Sequence, residues 1–272
     1  MTIVHIISIR SPDDPVLIAL RDSVIAHGMS PVVVEGVRGA QLAAGEYFAL
    51  AKRYYLETRR FMTPGEVGCT LSHVNAWRRI EAGTAATGIV LEDDAMLDAE
   101  FGSRIRALLA DPRLADVFVS LGGQEGKLGL PRQLRGRSLE GLPDTWEVCP
   151  ADLEKLTGTV GYLVPKLSAA ALAKDAEDGA FIVDDFRRAH VRGLATRFAI
   201  SNVIGHPWVE VQSAIQRERA EFMKRGEEYH RPLLQRLTHE LVATFTARSR
   251  VRQEARQYAD YHLIPWRSRF RQ

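Results

Sequence analysis

The stretch Gly88-Ile-Val-Leu-Glu-Asp-Asp-Ala95 decides the fold of this chain. An apolar run of β-type residues ends there in three consecutive carboxylates, Glu92, Asp93 and Asp94. Adjacent acids at the end of a strand repel one another unless a cation neutralises them, and oxygen ligands suit Mg²⁺ or Mn²⁺. In α/β folds the carboxyl ends of the strands are also where ligands bind. The segment therefore predicts a ligand site with a divalent cation; the alternative is a strand followed by a solvated acidic turn.

A second motif, Thr63-Pro-Gly-Glu-Val-Gly-Cys-Thr-Leu-Ser-His-Val-Asn-Ala-Trp77, precedes the acids. The threonine and Glu66 form a capping box, and the proline suits the first helical position, so a helix begins here. Gly68 in its first turn predicts a close backbone approach. Apolar residues at helical spacing, with Cys69 among them, predict a buried face. The polar pair Ser72-His73 beside that face must find hydrogen-bond partners.

Length and composition fit one globular unit. The chain has 272 residues, of which 46% are hydrophobic and 26% charged, enough to bury a sizeable core. No run of 18 or more apolar residues predicts a transmembrane helix, and residues 1–9 resemble a first β-strand more than a signal peptide. The two cysteines, Cys69 and Cys149, give no disulfide framework, so a reducing cytoplasm is expected. No Cys/His pair has metal-ligand spacing, so no zinc site is predicted.

Strands and helices alternate along the first two thirds of the chain. The patterns predict strands at 4–9, 31–35, 89–91, 116–121 and 158–165, and helices at 16–27, 46–57, 66–82, 101–109, 167–176 and from 184. This alternation predicts an α/β fold with a mainly parallel sheet covered by helices. Residues 122–150, rich in Gly, Pro, Arg and Lys, predict a long flexible loop over a site.

The C-terminal part has a different charge. Arg217 to Gln272 contains 13 Lys and Arg against 7 Asp and Glu, a net of +6, whereas the whole chain carries +2. Apolar residues at helical spacing predict a helix here: Leu234, Leu237, Leu241 and Phe245. Aromatic residues then alternate with arginines. This basic and aromatic pattern indicates one of two arrangements. Either a helix packs on the main domain and leaves a solvated basic tail, or the tail contacts an anionic membrane, with a binding free energy of about 1 kcal/mol per charge. No nucleic-acid module is present.

Taken together, the motifs resemble glycosyltransferase family 25, the lipopolysaccharide and lipooligosaccharide sugar transferases related to collagen galactosyltransferases. Four segments carry the resemblance in order: GEVGCTLSHVNAW from Gly65, IVLEDDA from Ile89, Thr157-Gly-Thr-Val-Gly-Tyr-Leu-Val164 and Ile182-Val-Asp-Asp-Phe186. It covers roughly residues 1–215. It departs from the family pattern in the first loop, which lacks the asparagine–leucine start, and at Ile182, where proline is common.

The resemblance implies a GT-A-like fold with a single Rossmann-like domain over residues 1–215. The donor half would cover about 1–125 and the acceptor half about 126–215, with a basic helical extension at 216–272. It also implies an inverting, metal-dependent enzyme that transfers a hexose to a saccharide acceptor, such as a lipopolysaccharide or lipooligosaccharide core. The expected donor is UDP-galactose, and the expected transferred sugar is galactose. The expected location is cytoplasmic, with peripheral contact at the inner membrane face through the basic tail.

Site residues follow from the chemistry and the resemblance. A Mn²⁺ or Mg²⁺ ion bridging the donor phosphates would stabilise the charge of the leaving diphosphate. Glu92 and Asp94 alternate along an extended segment and should share one side. By resemblance, Asp94 is the metal ligand, with Glu92 and the late His206 as further ligands, although a lone histidine is more often structural. The expected donor-binding residues are Arg10, Glu66, Ser72, His73, Glu92 and Asp93.

On the acceptor side, the resemblance implies Gly161 and Tyr162 as binding residues. The acceptor hydroxyl must lose a proton during attack, and a nearby carboxylate can accept it. Asp184 and Asp185 are the candidates, with Asp184 favoured; the alternative is that both only cap a helix.

Two other functional classes remain compatible with the sequence. The acidic cluster alone would suit a metal-dependent phosphoesterase or nucleotide-sugar hydrolase, and the fold would suit a non-catalytic sugar-nucleotide-binding module. Equal donor hydrolysis with and without acceptor would indicate the hydrolase.

Overall fold

The computed structural model describes residues 1–124, 134–207, 218–219, 221 and 257–266. Within these residues the strands are β1 Ile3–Ser8, β2 Ser30–Glu35, β3 Thr87–Glu92, β4 Met96–Leu97, β5 Val117–Gly122, β6 Arg135–Ser138, β7 Thr145–Val148, β8 Gly161–Pro165, β9 Arg197–Gly205 and β10 His262–Leu263. The α-helices are α1 Pro15–Ala26, α2 Ala44–Thr58, α3 Pro64–Ala82, α4 Phe101–Ala110, α5 Lys166–Asp175 and α6 Phe186–Val191.

One sheet organises the fold, in the order β10-β6-β7-β9-β5-β8-β3-β1-β2, with β4 paired to β9. β1 is parallel to β2 and β3, and β5 is parallel to β9. β8 is antiparallel to both β3 and β5, so the five other central strands point the same way. The predicted α/β fold with a mainly parallel central sheet is confirmed. The carboxyl ends of β1, β3, β5 and β9 consequently meet at one edge.

Both faces of the central sheet are covered, which explains why its strands are apolar almost throughout. In β3, Ile89 and Leu91 pack into the core on one side and Val90 into the core on the other. Helices α1 and α4 contribute to the first core, and α2, α3 and α5 to the second. The strand is therefore fixed in register from both sides, and the acids that follow it are held at the edge.

Helix α3 has the predicted start. The Thr63 side chain accepts from the Glu66 amide, and the Glu66 carboxylate accepts from the Thr63 amide. A Cβ at Gly68 would lie 2.5 Å from the backbone of Gly39 and of Val37. The predicted close approach is thus confirmed: the loop after β2 packs directly against the first turn of α3.

Two regions differ from the predictions. The predicted loop at 122–150 was wrong for residues 135–148, which form the antiparallel pair β6 and β7, with β7 paired to β9. In the predicted helical extension, residues 262–263 form β10 beside β6. Ile264 is buried there and fills the space above Gly136. Sheet pairing and this burial override a helical conformation.

The helix predicted over Leu234 to Phe245 lies outside the described residues, and the domain boundary at 215 stays a prediction. Among the described helices, none has the length and apolarity needed to cross a membrane.

Candidate active site

The acidic edge lies beside a cleft of about 750 Å³ between α1 and the β3–β4 segment. Apolar side chains of α1 form one wall, and Met96 and Leu97 lie on the other side. Its polar lining includes Arg10, Asp93, Asp94 and His206. Four residues predicted for donor or metal binding therefore line one cleft at the carboxyl ends of the strands.

Asp94 and His206 face each other because β4 pairs with the end of β9. The Asp94 Oδ2 atom lies 3.2 Å from Nε2 of His206. The hydrogen bond to Asp94 and its negative charge raise the pKa of His206. The other carboxylate oxygen, Oδ1 of Asp94, is buried and receives no hydrogen bond. A buried carboxylate oxygen without a donor is costly, so a cation at this position fits the residues present.

Asp93 turns toward β1 instead. Its Oδ2 atom accepts a hydrogen bond of 2.6 Å from the Ser8 hydroxyl and lies 3.2 Å from Nε of Arg10. Burial raises the pKa of Asp93, although the Ser8 hydrogen bond and the Arg10 charge oppose this effect. Arg10 also reaches Asp14 at 3.3 Å. Asp93 therefore fixes Arg10 at the mouth of the cleft.

Glu92 is held by a third set of partners. Its Oε1 atom accepts a hydrogen bond of 2.6 Å from the Thr159 hydroxyl and lies 3.4 Å from Nε2 of His73. Behind it, Nδ1 of His73 lies 2.7 Å from the Tyr162 hydroxyl, which accepts from Trp77 Nε1 at 2.9 Å. Glu92 and Asp94 share the edge but have different partners, so the structure joins Asp94 to His206 and joins Glu92 to His73.

The two candidate bases have different roles. Asp185 caps α6, since its Oδ1 atom accepts from the Arg188 amide at 2.9 Å. Asp184 is half-buried and accepts from the Gly158 amide at 2.8 Å, beside the segment that supplies Thr159. The capping alternative therefore applies to Asp185, whereas Asp184 binds the backbone of the segment that supplies Thr159.

Two predicted donor-binding residues serve the fold. Glu66 is 3% exposed and, besides the capping box, receives hydrogen bonds from Arg60 and Arg219. The Ser72 hydroxyl accepts from the Val37 amide and donates to the Gly68 carbonyl. The polar atoms of Glu66 and Ser72 are thus occupied by protein partners. Direct contact of either residue with a sugar-nucleotide donor does not agree with the structure.

The predicted acceptor contacts also need correction. Tyr162 is 1% exposed, and its hydroxyl faces Trp77 and His73 inside the core. Gly161 is buried, and a Cβ there would lie 2.5 Å from Ile204 and 2.7 Å from Leu91. The glycine is needed for strand packing and the tyrosine for orienting His73, so neither residue presents a surface to an acceptor.

Three residues that contribute to the site were not predicted from the sequence: Ser8, Thr159 and Cys69. Cys69 was predicted to lie in the core, but it is half-buried at the edge of the site, and its sulfur groups with His73 and Glu92. Burial, together with the charges of Glu92 and Asp184, raises the pKa of the Cys69 thiol well above its usual value. The C-x-x-x-H spacing on a helix could have indicated this cluster, so the prediction that no Cys/His pair has metal-ligand spacing was wrong.

Fold and site together define an α/β protein with an acidic sheet edge, whose residues fit a cation, beside a cleft lined by Arg10. Residues 19–187 match the sequence profile of "Glycosyltransferase family 25 (LPS biosynthesis protein)". The chain belongs to this family.

Relatives in other organisms match shorter parts of the chain. "Procollagen galactosyltransferase 1-B" of Xenopus laevis is 30% identical over 131 residues, which cover 47% of this chain and 20% of the relative. A "Glycosyltransferase 25 family member" of Anopheles gambiae is 37% identical over 82 residues, covering 28% of this chain and 14% of the relative. The human "Inactive glycosyltransferase 25 family member 3" is 40% identical over 52 residues, which cover 19% of this chain and 9% of the relative. The matches thus span a fifth or less of these relatives, and family membership alone does not distinguish an active member from an inactive one.

Among solved structures, a UDP-glucose pyrophosphorylase complexed with UDP-glucose aligns with a TM-score of 0.42 at 11% identity, over 82% of this chain and 99% of that one. A mannose-1-phosphate geranyltransferase from Thermus thermophilus aligns with a TM-score of 0.40 at 14% identity, over 77% and 76%.

Proposed function

We propose that this chain is a metal-dependent, inverting glycosyltransferase that moves a hexose from a UDP-sugar to a saccharide acceptor. Family membership supports sugar transfer, and the Xenopus relative's name makes galactose the first donor sugar to test. The observation that carries the proposal is the Asp94–His206 pair, which lines the cleft. The second carboxylate oxygen of Asp94 is buried and receives no hydrogen bond.

Asp94 and His206 would hold Mn²⁺ or Mg²⁺, with oxygen and imidazole as ligands. When bound, the ion supplies positive charge against the donor phosphates and the departing diphosphate. Arg10 lines the same cleft, and Asp93 and Asp14 restrain its guanidinium group. It adds a fixed positive charge for the phosphates at little further conformational cost.

Asp184 is the proposed general base. One of its oxygens is occupied by the Gly158 amide, which orients the carboxylate. Its other oxygen takes the proton of the acceptor hydroxyl as that oxygen attacks the anomeric carbon. The bond from the anomeric carbon to the diphosphate breaks in the same step. Glu92, held by Thr159 and His73, faces the donor from the other side of the edge.

A donor and acceptor screen tests the function. The full chain is incubated with Mn²⁺, a panel of UDP-sugars and lipooligosaccharide core oligosaccharides, and the products are identified by mass spectrometry and proton NMR. The expected result is acceptor-dependent UDP release, with a β-linked galactoside formed from the α-linked donor. Donor hydrolysis at the same rate without acceptor would indicate a nucleotide-sugar hydrolase, and donor binding without turnover a binding module.

We also propose that the acceptor is a glycolipid at the cytoplasmic face of an anionic membrane, reached through the basic C-terminal residues. The support is the net charge of +6 over residues 217–272. Arg137 stacks over Tyr261 at 5.5 Å, and β10 joins the sheet, so the test leaves residues up to Trp266 intact. Replacing Arg267, Arg269 and Arg271 by Gln should weaken binding to anionic vesicles, most clearly at low salt. Unchanged vesicle binding would contradict this proposal.

A further inference from the structure

A cluster with a thiol, an imidazole and a carboxylate lies at the acidic edge, apart from the Asp94–His206 pair. Cys69 and His73 are one turn apart on α3, so their side chains share one face of the helix. Glu92 reaches the same place from the end of β3. One ligand atom from each of the three residues lies within 4.8 Å of the other two.

These distances approach those of a tetrahedral metal site. Ligand atoms bound to zinc at about 2.0–2.3 Å lie about 3.3–3.8 Å apart. The distance of 3.4 Å between Nε2 of His73 and Oε1 of Glu92 already falls in this range. A modest shift of the Cys69 side chain would complete three of four positions. Cys69 and Glu92 are only partly buried, so the fourth position is open to water.

Buried neighbours hold the ligands in place. Nδ1 of His73 contacts the Tyr162 hydroxyl, and Trp77 Nε1 donates to the same oxygen. His73, Tyr162 and Trp77 are each 1% exposed, so the imidazole cannot turn away from the cluster. The Thr159 hydroxyl fixes the Glu92 carboxylate. A hydrogen bond at the non-coordinating nitrogen of a ligating histidine, as at Nδ1 of His73, is typical of protein metal sites.

We propose that Cys69, His73 and Glu92 form a second metal site, selective for Zn²⁺ or another thiophilic divalent cation. A thiolate, an imidazole and a carboxylate favour zinc over the hard ions Mg²⁺ and Mn²⁺. Binding releases the Cys69 thiol proton to solvent. The site differs from the Asp94–His206 pair in its residues and in the ion it selects.

Zinc binding has a consequence that rests on the proposed function. Glu92 bound to zinc is no longer available to the donor, so Zn²⁺ should inhibit transfer even when Mn²⁺ is saturating. The zinc site itself does not depend on the transferase assignment.

Cobalt(II) spectroscopy on the full chain tests the site. One equivalent of Co²⁺ should produce a thiolate-to-cobalt charge-transfer band and the intense visible bands of tetrahedral cobalt, and Zn²⁺ should abolish both. Cys69→Ser should lose the charge-transfer band and weaken zinc binding by at least about 10-fold, because even the loss of a hydrogen-bond partner of a ligand costs about 10–100-fold. Cys149→Ser, at a buried cysteine elsewhere in the fold, is the matched control and should keep the band. Asp94→Asn should keep it too.

Zinc X-ray absorption on the unmodified chain gives a result independent of any variant's folding. It should show one sulfur at about 2.3 Å. No sulfur ligand, a charge-transfer band that survives Cys69→Ser, or a band lost in Asp94→Asn would each overturn the proposal. Absence of transferase activity with intact cobalt spectra would refute the proposed function and leave the metal site standing.

Discussion

Two groups of charged residues in this molecule are built in opposite ways. Between α2, α5 and α6, the Asp175 carboxylate contacts Arg53 at 2.8 Å, Arg188 at 2.8 Å and Arg192 at 2.9 Å. At the sheet edge, Asp94 keeps a buried oxygen with no hydrogen bond. The first group satisfies its charge within the protein, and the second leaves charge for something outside it.

The pKa shifts follow the same contrast. Burial alone would raise the pKa of Asp175, but hydrogen bonds from Arg53 and Arg188 lower it below its usual value. Burial raises the pKa of Asp93, and its partners Ser8 and Arg10 do not fully compensate. Acids whose pKa stays raised because their partners do not offset the effect of burial are typical of functional sites. The contrast teaches that partners, and not acid content, distinguish a structural cluster from a binding one.

The largest expected effect comes from Asp94→Asn. Metal-dependent UDP binding should be lost, and transfer should fall by about 10³-fold or more, because the ion contributes several kcal/mol. Stability without metal should change little, since the relieved repulsion among the adjacent acids offsets the weakened interaction with His206. Titration calorimetry of UDP with Mn²⁺ measures the binding. Asp116→Asn, at an exposed acid paired with Arg197, is the control and should change neither quantity. Unchanged UDP affinity in Asp94→Asn would contradict the metal assignment.

Asp184→Asn should lower the transfer rate by about 10²–10⁴-fold with donor affinity nearly retained, the usual contribution of a general base. Asp185→Asn should keep most of the rate, because the structure uses this residue as the α6 cap and an amide oxygen can still accept. Steady-state kinetics on both variants decide between them. The reverse pattern would make Asp185 the base, and two active variants would move the base elsewhere.

Asp175→Asn tests the structural cluster. Breaking this buried network should cost about 3 kcal/mol of unfolding free energy. Asp178→Asn, whose carboxylate is exposed and lies 3.7 Å from Arg53, should cost less than about 0.5 kcal/mol. Chemical denaturation measures both.

The same pair gives a pH test. The pKa of Asp175 is lowered in the folded state, so its contribution is complete above the unfolded pKa of about 3.9 and is lost as pH falls through the folded pKa. The stability difference between wild type and Asp175→Asn should therefore be constant at neutral pH and shrink in acid. A difference that grows in acid would contradict the role of Asp175.

Local signals predicted much of this molecule. The capping box and Gly68 lie within one turn of α3, and the apolar strand before the acids fixes their position at the sheet edge. The contacts that define the site are distant in sequence: Thr159 is 67 residues from Glu92, and Ser8 is 85 from Asp93. Strands β6 and β10 are short and exist through pairing, which no local pattern encodes. Tyr162 was predicted to contact the acceptor for the same reason: its hydroxyl partners, His73 and Trp77, lie on α3, far away in sequence.

The smallest effect is expected for Tyr162→Phe, which sharpens the distinction between an internal support and a ligand contact. Removing the hydroxyl leaves His73 and Trp77 without their shared partner and should cost about 1 kcal/mol of stability. His73 then orients Glu92 less well, so kcat should fall about tenfold, while KM for the acceptor stays the same because Tyr162 is buried away from it. Tyr55→Phe, at a tyrosine of α2 whose ring stacks on Phe61, provides a phenol-removal control for kinetics. A raised acceptor KM at unchanged kcat in Tyr162→Phe would restore the acceptor-binding role that the structure argues against.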